Sequence, residues 1–436
     1  MSSVRPGDLL GKYRVIEEIG RGSMGTVYVG YDPLFDRSVA LKVANEPAYR
    51  GPDGRELYRQ LFFNEMRAAS ILSHPNIVEV FDAGAHGEHY YIAMEFVEGA
   101  RTLETCCDPD GLLPLERVAE IVFKCAQALD YAHGNGVIHR DIKPGNILLS
   151  QCGDVKLADF SVALLIDPRI DSTQLMDPVG SPLYMSPEQF TASGVTNKSD
   201  LFSLGNVLYE LLTGRLPFAA ETLAGVTHNV LRESAPPVSR WRRDVPASVE
   251  RIVSRALARD PEDRYGTAVE MAADLSMAFA VLRDNTPAVA VDDRVEALKN
   301  TPFFAEFRDA EIWELLRWSS WRECEDGEVL IAQGADDHTV YVLVSGTAEV
   351  VKDGRSVSTL APGECFGEIA YLSRQTRTAS IVATSTARVL GLNAEVLAQA
   401  SLACQVQFQR TFIRTLLERL VATTADLVKE RPRELP

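Results

Sequence analysis

Three glycines spaced as Gly20-x-Gly22-x-x-Gly25 leave a stretch of backbone free of side chains, and such a stretch lets amide groups approach phosphate oxygens closely. The same spacing occurs in dinucleotide-binding folds, where the last glycine opens a helix. Here Thr26-Val27-Tyr28-Val29 follows, a β-branched and aromatic run that continues as a strand, so the glycines sit in a hairpin that covers phosphates. Lys42 ends the next apolar strand, Val39-Ala40-Leu41-Lys42. Taken alone it would be a surface lysine; paired with Glu65 on a helix it is fixed to hold phosphates as a point charge.

Further along stand His139-Arg140-Asp141-Ile142-Lys143-Pro144-Gly145-Asn146, then Ala158-Asp159-Phe160-Ser161, then Ser186-Pro187-Glu188. Together with the glycine loop and Lys42, this ordered set resembles the protein-kinase family over about residues 13–282. The resemblance implies Mg-ATP as cofactor and a role for each matched residue. Asp141 accepts or orients the substrate hydroxyl, Lys143 contacts the γ-phosphate, Lys42 and Glu65 position phosphates, and Asn146 and Asp159 hold Mg²⁺ through hard oxygen ligands. Val27, Ala40 and Leu148 would sandwich the adenine, with Met94 behind it and Glu95 to Val97 offering backbone hydrogen bonds; plain core packing explains these apolar residues equally well. His139 and Phe160 are expected to pack, Glu188 and Arg264 to form a buried ion pair, and Asp200 to cap a helix. Lys143-Pro144-Gly145-Asn146 resembles the serine/threonine class, and HRDIKPGN with His74-Pro75-Asn76-Ile77-Val78 is similar to bacterial kinases of eukaryotic type.

The sequence departs from that pattern at three points. Ser161 stands where glycine usually follows Asp159-Phe160, and its Cβ restricts the backbone that places a metal ligand. Ser186 replaces an alanine and Ser181 a threonine. Ser172, Thr173 and Ser181 are hydroxyls of the activation segment open to phosphorylation, with Arg140 the natural partner of an added phosphate.

A second constellation runs from Gly363 to Ser380. Gly367-Glu368-Ile369-Ala370, followed by Arg377-Thr378, resembles the phosphate-binding cassette of cyclic-nucleotide-binding domains. A cyclic phosphate needs a guanidinium, and its ribose a hydrogen-bond acceptor for the 2′-hydroxyl; Arg377 and Glu368 suit those roles. Backbone amides from Gly367 to Ala370 favour the anion as well. Thr378 offers a further hydroxyl to cAMP or cGMP. Thr376 replaces the cassette's usual proline, which leaves loop rigidity open.

The elements that must carry these residues follow from periodicity. Alternating runs at 13–31 and 37–45, with Val78–Asp82 and Tyr90–Phe96, make the first lobe a sheet, interrupted by a helix over Glu56–Leu72. Helical spacing then takes over from Leu115, around 199–213, 247–258 and 267–282. The Asp-, Ala- and Pro-rich stretch at 284–298 lacks a clear period and reads as a linker. Closely spaced alternating runs such as Val340–Val344 and Ala348–Val351 predict a small jelly roll within a domain at 299–425, and 394–429 returns to helical spacing.

With 436 residues the chain exceeds one ordinary core, and 46% hydrophobic content fills two. A net charge of -17 speaks against a nucleic-acid footprint. Seven cysteines without metal spacing read as reduced thiols, and the absence of an apolar run of ~18 residues or a signal peptide predicts a cytoplasmic protein with no membrane partner. The expected fold is α+β, a two-lobed kinase fold followed by a jelly roll with flanking helices. The expected function is a serine/threonine kinase regulated by a cyclic nucleotide and acting on protein hydroxyls. Two alternatives stay open: a silent kinase-like scaffold, and an active kinase whose C-terminal domain serves docking or dimerisation.

Overall fold

A computed structural model describes residues 4–22, 25–44, 70–87, 89–151, 153–160, 164–165, 181–191, 194–284, 288–368, 375–393, 397, 400 and 402–430. The chain divides into two units, Met1–Leu275 and Ser276–Pro436. The first begins with a six-stranded antiparallel sheet of β1 (Leu9–Leu10), β2 (Tyr13–Arg21), β3 (Gly25–Asp32), β4 (Arg37–Ala44), β5 (Val80–His86) and β6 (His89–Glu95), ordered β1-β2-β3-β4-β6-β5. One face of it encloses a core of Tyr13, Val15, Tyr28, Val39, Leu41, Val43, Tyr91 and Ala93. The alternation of β4 explains the rest: Val39, Leu41 and Val43 point into that core, so Ala40 and Lys42 must take the opposite face.

Cross-strand register gathers the remaining side chains on that opposite face. Lys42 lies opposite Val27 of β3, and Ala40 opposite Met94 of β6. The expected helix Glu56–Leu72 falls almost wholly outside the described residues, as does Glu65.

The second lobe is built on α1 (Leu115–Gly134), whose buried face repeats Val118, Ile121, Val122, Cys125, Leu129 and Ala132. Short strands β7 (Arg101–Thr102), β8 (Val137–Ile138), β9 (Ile147–Leu149), β10 (Val155–Leu157) and β11 (Leu164–Leu165) lay out the loops between and after them. Then follow α2 (Pro187–Thr191), α3 (Asn197–Thr213), α4 (Leu223–Arg232), α5 (Ala247–Ala256) and α6 (Ala268–Asp284). Helix α3 starts at a capping box, in which Thr196 and Ser199 exchange side-chain and backbone bonds, and it stops at Gly214 in the left-handed region (φ 66°).

The second unit holds two four-stranded antiparallel sheets. One orders β12 (Ser320–Cys324), β19 (Ala387–Leu392), β14 (Val340–Ser345) and β17 (Cys365–Phe366); the other orders β13 (Val329–Ile331), β18 (Ser380–Ala383), β15 (Ala348–Lys352) and β16 (Arg355–Leu360). Their facing side chains, among them Leu330, Leu343, Leu360, Phe366, Ile381 and Val389, form one core, the expected jelly roll. Helices α7 (Ala288–Lys299), α8 (Asp309–Trp318) and α9 (Leu402–Glu430) flank it.

Helix α7 corrects the expectation of an aperiodic linker at 284–298. From Ala288 to Lys299 the chain is helical, with Val295 and Leu298 buried, Leu298 at 0% exposure, where α7 packs against β14 and α8.

The expected ion pair sits at the heart of the second lobe. Arg264 donates to Glu188 from Nη1 at 2.8 Å and from Nη2 at 3.0 Å, and Ser199 Oγ donates to the same carboxylate at 2.6 Å. The remaining Arg264 donors go to the carbonyls of Ala258, Lys198 and Arg259. Burial pushes the Glu188 pKa up, but Arg264 outweighs it and holds the carboxyl below the ordinary range. Replacement of Arg264 by Leu would leave a buried carboxylate unpaired and is expected to destabilise the first unit by about 3–5 kcal/mol in chemical denaturation at neutral pH. In the wild type the stabilisation from this pair is full above the ordinary carboxylate pKa and is lost as pH falls through the depressed value; the variant should lack that acid-sensitive component.

Candidate functional site

The loop after β8 is held from behind by one buried carboxylate. Asp200, at the start of α3, accepts from the amides of His139 (Oδ2, 2.8 Å) and Arg140 (Oδ1, 2.8 Å) and meets His133 Nε2 of α1 at 2.8 Å. Burial raises the Asp200 pKa, yet the bonds from His133 and the His139 amide prevail and keep it below the ordinary carboxylate value. Arg140 takes a left-handed backbone (φ 67°), and Gln189 Nε2 donates to its carbonyl at 3.0 Å. The reversal of the chain at Arg140 turns the next residue, Asp141, toward Lys143, Asn146 and Ser181.

Asp141 then collects three partners. Lys143 Nζ and Asn146 Nδ2 donate to its Oδ2 at 2.7 and 3.0 Å, and the amide of Ser181 donates to Oδ1 at 2.8 Å. Lys143 Nζ also donates to Ser181 Oγ at 2.7 Å. Ser181, expected as a possible phosphorylation site, is thus a member of the catalytic-loop cluster; Ser172, Thr173 and Ser161 lie outside the described residues. Since Asn146 Nδ2 serves Asp141, its amide oxygen is the atom left for a cation. His139 packs as expected, its ring 4.5 Å from that of Phe160 and its Nε2 3.1 Å from the Ala158 carbonyl.

Asp159 has a left-handed backbone as well (φ 63°), and its Oδ1 accepts from Lys42 Nζ at 2.5 Å, which joins the sheet lobe to the helical lobe. The Lys42 side chain reaches it from the face shared with Val27, Ala40 and Met94. Gly22 N donates to Gly25 O at 2.8 Å, which closes the β2–β3 hairpin. A Cβ on Gly25 would stand 2.6 Å from the Val43 carbonyl, so only glycine fits there; a Cβ on Gly20 or Gly22 would meet almost nothing of the protein, so packing does not account for those two. At the hinge, the Glu95 amide is already given to Glu79 O at 2.8 Å, and Val97 O accepts from Ala100 N. The backbone hydrogen bonds expected of Glu95 to Val97 are thus left to groups other than the Glu95 amide. Leu148 of β9 is half-buried beside Lys156 of β10.

In the second unit a cavity of about 310 Å³ is lined by Gly367, Glu368, Arg377 and Thr378, with apolar walls from Ile331, Val350 and Leu360. Arg377 is buried, and its guanidinium donates to Asp337, to Thr339 O at 2.7 Å and to Gly367 O at 2.9 Å. Burial opposes the charge on Asp337, but Arg377 and Thr339 hold its pKa below the ordinary value. Arg377 Nε, buried, has no partner among the described residues. Gly367 (φ 83°) is required here, because a Cβ would come within 2.5 Å of Arg377 Nη1. Ile369 and Ala370 lie outside the described residues.

Sequence reasoning missed Asp337 and Arg419. Asp337 lies 40 residues before its arginine. Arg419 donates to Glu368 Oε1 at 2.6 Å from 51 residues away. No local pattern carries either pairing.

Residues 13–275 match the protein kinase domain, and residues 321–402 match the cyclic nucleotide-binding domain. The chain belongs to the protein kinase family. It is 38% identical over 296 residues to the serine/threonine-protein kinase PrkC of Bacillus subtilis, covering 68% of this chain and 45% of that protein. It is 38% identical over 291 residues to PknB of Mycobacterium leprae (66% of this chain, 46% of that protein) and 37% identical over 303 residues to PknB of Mycolicibacterium smegmatis (68% and 48%). The chain thus spans about half the length of the curated relatives it matches. Among the described residues no helix is long and apolar enough to cross a membrane.

Asp200→Asn keeps the size of the side chain but removes the charge that the two loop amides and His133 share. Hydrogen exchange at the amides of His139 and Arg140 in this kinase domain should accelerate by the equivalent of about 1.5–3 kcal/mol, the scale of hydrogen bonds to a charged group. Unchanged protection would mean that the loop is held elsewhere.

Proposed function

We propose that the chain is a serine/threonine protein kinase that transfers the γ-phosphoryl group of Mg-ATP to protein hydroxyls, and that a cyclic nucleotide bound in the second unit modulates it. The observation that carries the reading is the convergence of Lys143, Asn146 and Ser181 on Asp141, with Lys42 paired to Asp159 alongside. Phosphoryl transfer asks a protein for positioning and charge more than for covalent chemistry, and this cluster supplies both. Bound Mg²⁺ neutralises charge developing on the phosphate oxygens.

Asp141 accepts or orients the proton of the substrate hydroxyl. Lys143, which already bridges Asp141 and Ser181, has the reach to place a phosphate beside that hydroxyl. Asn146 and Asp159 bring hard oxygens to Mg²⁺; a site with so few protein ligands suits this ion, which shares its shell with phosphates and water. Lys42 holds phosphates beneath the glycine hairpin, where Gly20 and Gly22 leave room for close approach. Val27, Ala40, Met94 and Leu148 bracket the adenine, and Val97 offers the hinge N–H. Arg140 is half-buried, and its buried Nε has no partner among the described residues, which supports it as the receiver of a phosphate on Ser172 or Thr173.

For the second unit, the support is the buried Arg377, whose Nε has no partner among the described residues and which lines a pocket that also presents Glu368. That pairing suits a cyclic phosphate and a ribose hydroxyl. A second reading, that the C-terminal unit serves docking or self-association, draws on the exposed Ile413, Leu417, Leu420 and Val421 of α9.

The test is transfer of labelled phosphate from ATP to a generic basic protein by the full chain, with cAMP, cGMP or neither. Asp141→Asn should cut turnover at least about 100-fold while ATP still binds, because it removes the hydroxyl-orienting group and no phosphate contact. Asp159→Asn should instead weaken Mg²⁺-dependent nucleotide binding. A silent scaffold would give no transfer in the wild type.

Regulation has its own signature in the same assay. A cyclic nucleotide should shift turnover by about 5-fold or more, a typical coupling, and Arg377→Ala should abolish the shift. Binding of both nucleotides with flat activity would leave the docking reading in its place.

A further inference from the structure

Trp241 lies on the surface of the helical lobe, 42% exposed, and two cations sit over its ring. The guanidinium carbon of Arg215 is 4.4 Å from the ring centroid and that of Arg240 is 5.0 Å from it. Both arginines are exposed, as is Arg243 just beyond the tryptophan. Among the described residues neither Arg215 nor Arg240 forms an ion pair, and the carboxylates of the same loop and of α5 are engaged elsewhere. Asp244 accepts from Arg242 Nε at 3.2 Å, and Glu250 Oε1 accepts from Ser239 Oγ at 2.9 Å. Two like charges thus share one indole without a counter-charge, in a chain whose net charge is -17.

The frame beneath the ring is fixed. Trp241 Nε1 donates to Tyr209 Oη at 3.0 Å, and Tyr209, on α3, is buried. Thr213 Oγ1 accepts from the Arg215 amide and donates to the Arg215 carbonyl, both at 3.1 Å, on either side of the left-handed Gly214. Arg242 Nη1 donates to Leu113 O at 2.9 Å and ties the tryptophan's loop to the residues that precede α1. A guanidinium drawn to an indole face keeps its N–H donors for a planar carboxylate, and being held already it loses less freedom on binding. The surface also lies far from the reacting groups. Asp200, in the first turn of α3, holds the catalytic loop, whereas Arg215 follows the end of that helix, and the helical rise separates the two by about 20 Å.

We propose that Arg215, Trp241 and Arg240 form a docking site for an acidic segment of a protein substrate, whose carboxylates pair with the two guanidiniums while a neighbouring apolar side chain covers the indole. The inference rests on the reading of the chain as a kinase of protein hydroxyls. Charge complementarity selects the partner. A short acidic segment meets the two arginines alone, because screening over about 8 Å hides the rest of the acidic surface from it. A nucleic acid is a longer polyanion and would run out over a chain with 61 acidic against 44 basic residues. An extended chain covers about 3.3 Å per residue, so the acidic segment must stand about seven residues or more from the acceptor hydroxyl. Docked there, it raises the effective concentration of that hydroxyl at Asp141 and lowers KM without a part in the transfer step.

The experiment compares, on the full chain, serine peptides that carry a hexaglutamate or a hexaglutamine tract either about ten or about three residues from the serine. At the longer spacing the hexaglutamate peptide should show a KM about 5-fold or more below that of its hexaglutamine counterpart at unchanged kcat, and at the shorter spacing no gain. Arg215→Gln combined with Arg240→Gln should remove the gain and leave the hexaglutamine peptide's KM and kcat within about twofold of wild type, whereas Arg243→Gln should keep the gain. A merely structural role would move both peptides alike. Fluorescence anisotropy of a labelled hexaglutamate peptide supplies a readout that needs no catalysis: the wild type should bind it, more weakly as salt rises, and the double variant should not. If no peptide is phosphorylated but the probe binds the wild type and not the double variant, the kinase reading falls while the acidic-segment site stands. If the peptides are phosphorylated and hexaglutamate gives no gain, or the double variant retains it, the docking site alone is overturned. Displacement of the probe by a single-stranded oligothymidylate at lower concentration than by hexaglutamate itself would put a nucleic acid in the segment's place and overturn it as well.

Discussion

The catalytic-loop geometry depends on a carboxylate that never meets solvent. Asp200 is fully buried, and its two oxygens hold the amides of His139 and Arg140 while His133 anchors it to α1. Without that acceptor pair, a left-handed Arg140 would cost about 1–3 kcal/mol with nothing to offset it. Hydrogen bonds to a charged group contribute about 1.5–3 kcal/mol each, enough to keep the turn. Everything downstream inherits the turn: Lys143 and Asn146 come round to meet Asp141, and Ser181 closes the ring. From the other side, Gln189 grips the Arg140 carbonyl, and Glu188 beside it is locked to Arg264. A network of buried polar groups, rather than apolar packing alone, thus fixes the position of Asp141 and its partners.

The second unit solves a similar problem with the charges reversed. There the group to be presented is a cation, and Asp337, Thr339 O and Gly367 O hold it on three sides. The backbone of Arg377 is pinned too, its amide to Ala335 O and its carbonyl by Gly334 N. The guanidinium is therefore oriented by the protein itself, and the entropy of fixing a long side chain is met on folding.

What was legible in the sequence is what lies close along the chain. The glycine hairpin announces itself because Thr26-Val27-Tyr28-Val29 continues as strand, and the register of β3, β4 and β6 then brings Val27, Lys42, Ala40 and Met94 to one face. Asp141, Lys143 and Asn146 belong to one short string. Asp337 and Arg419 were illegible because they reach their partners only after the jelly roll has closed and α9 has laid along it. Helix α7 escaped for a related reason: Val295 and Leu298 become a helical face only once a sheet is present to bury them.

Departures from a family's motif are best weighed against the network that surrounds them. Thr376 lacks the rigidity of a proline, yet the residue it precedes is paired through both backbone groups to 334–335, so stiffness comes from the neighbouring loop instead of from a ring. Ser186 brings a hydroxyl into a buried position that ordinarily holds a methyl group, and that hydroxyl is satisfied by Gln189 Oε1 at 3.0 Å, the residue that also steadies Arg140. Ser181 keeps the hydroxyl of the threonine it replaces, and Lys143 uses it. In each case the substituted residue's physical task, whether restraint, satisfied burial or a hydrogen bond, is carried by a named partner. A motif therefore records one way of meeting a constraint, and the constraint itself is found in the hydrogen bonds around it.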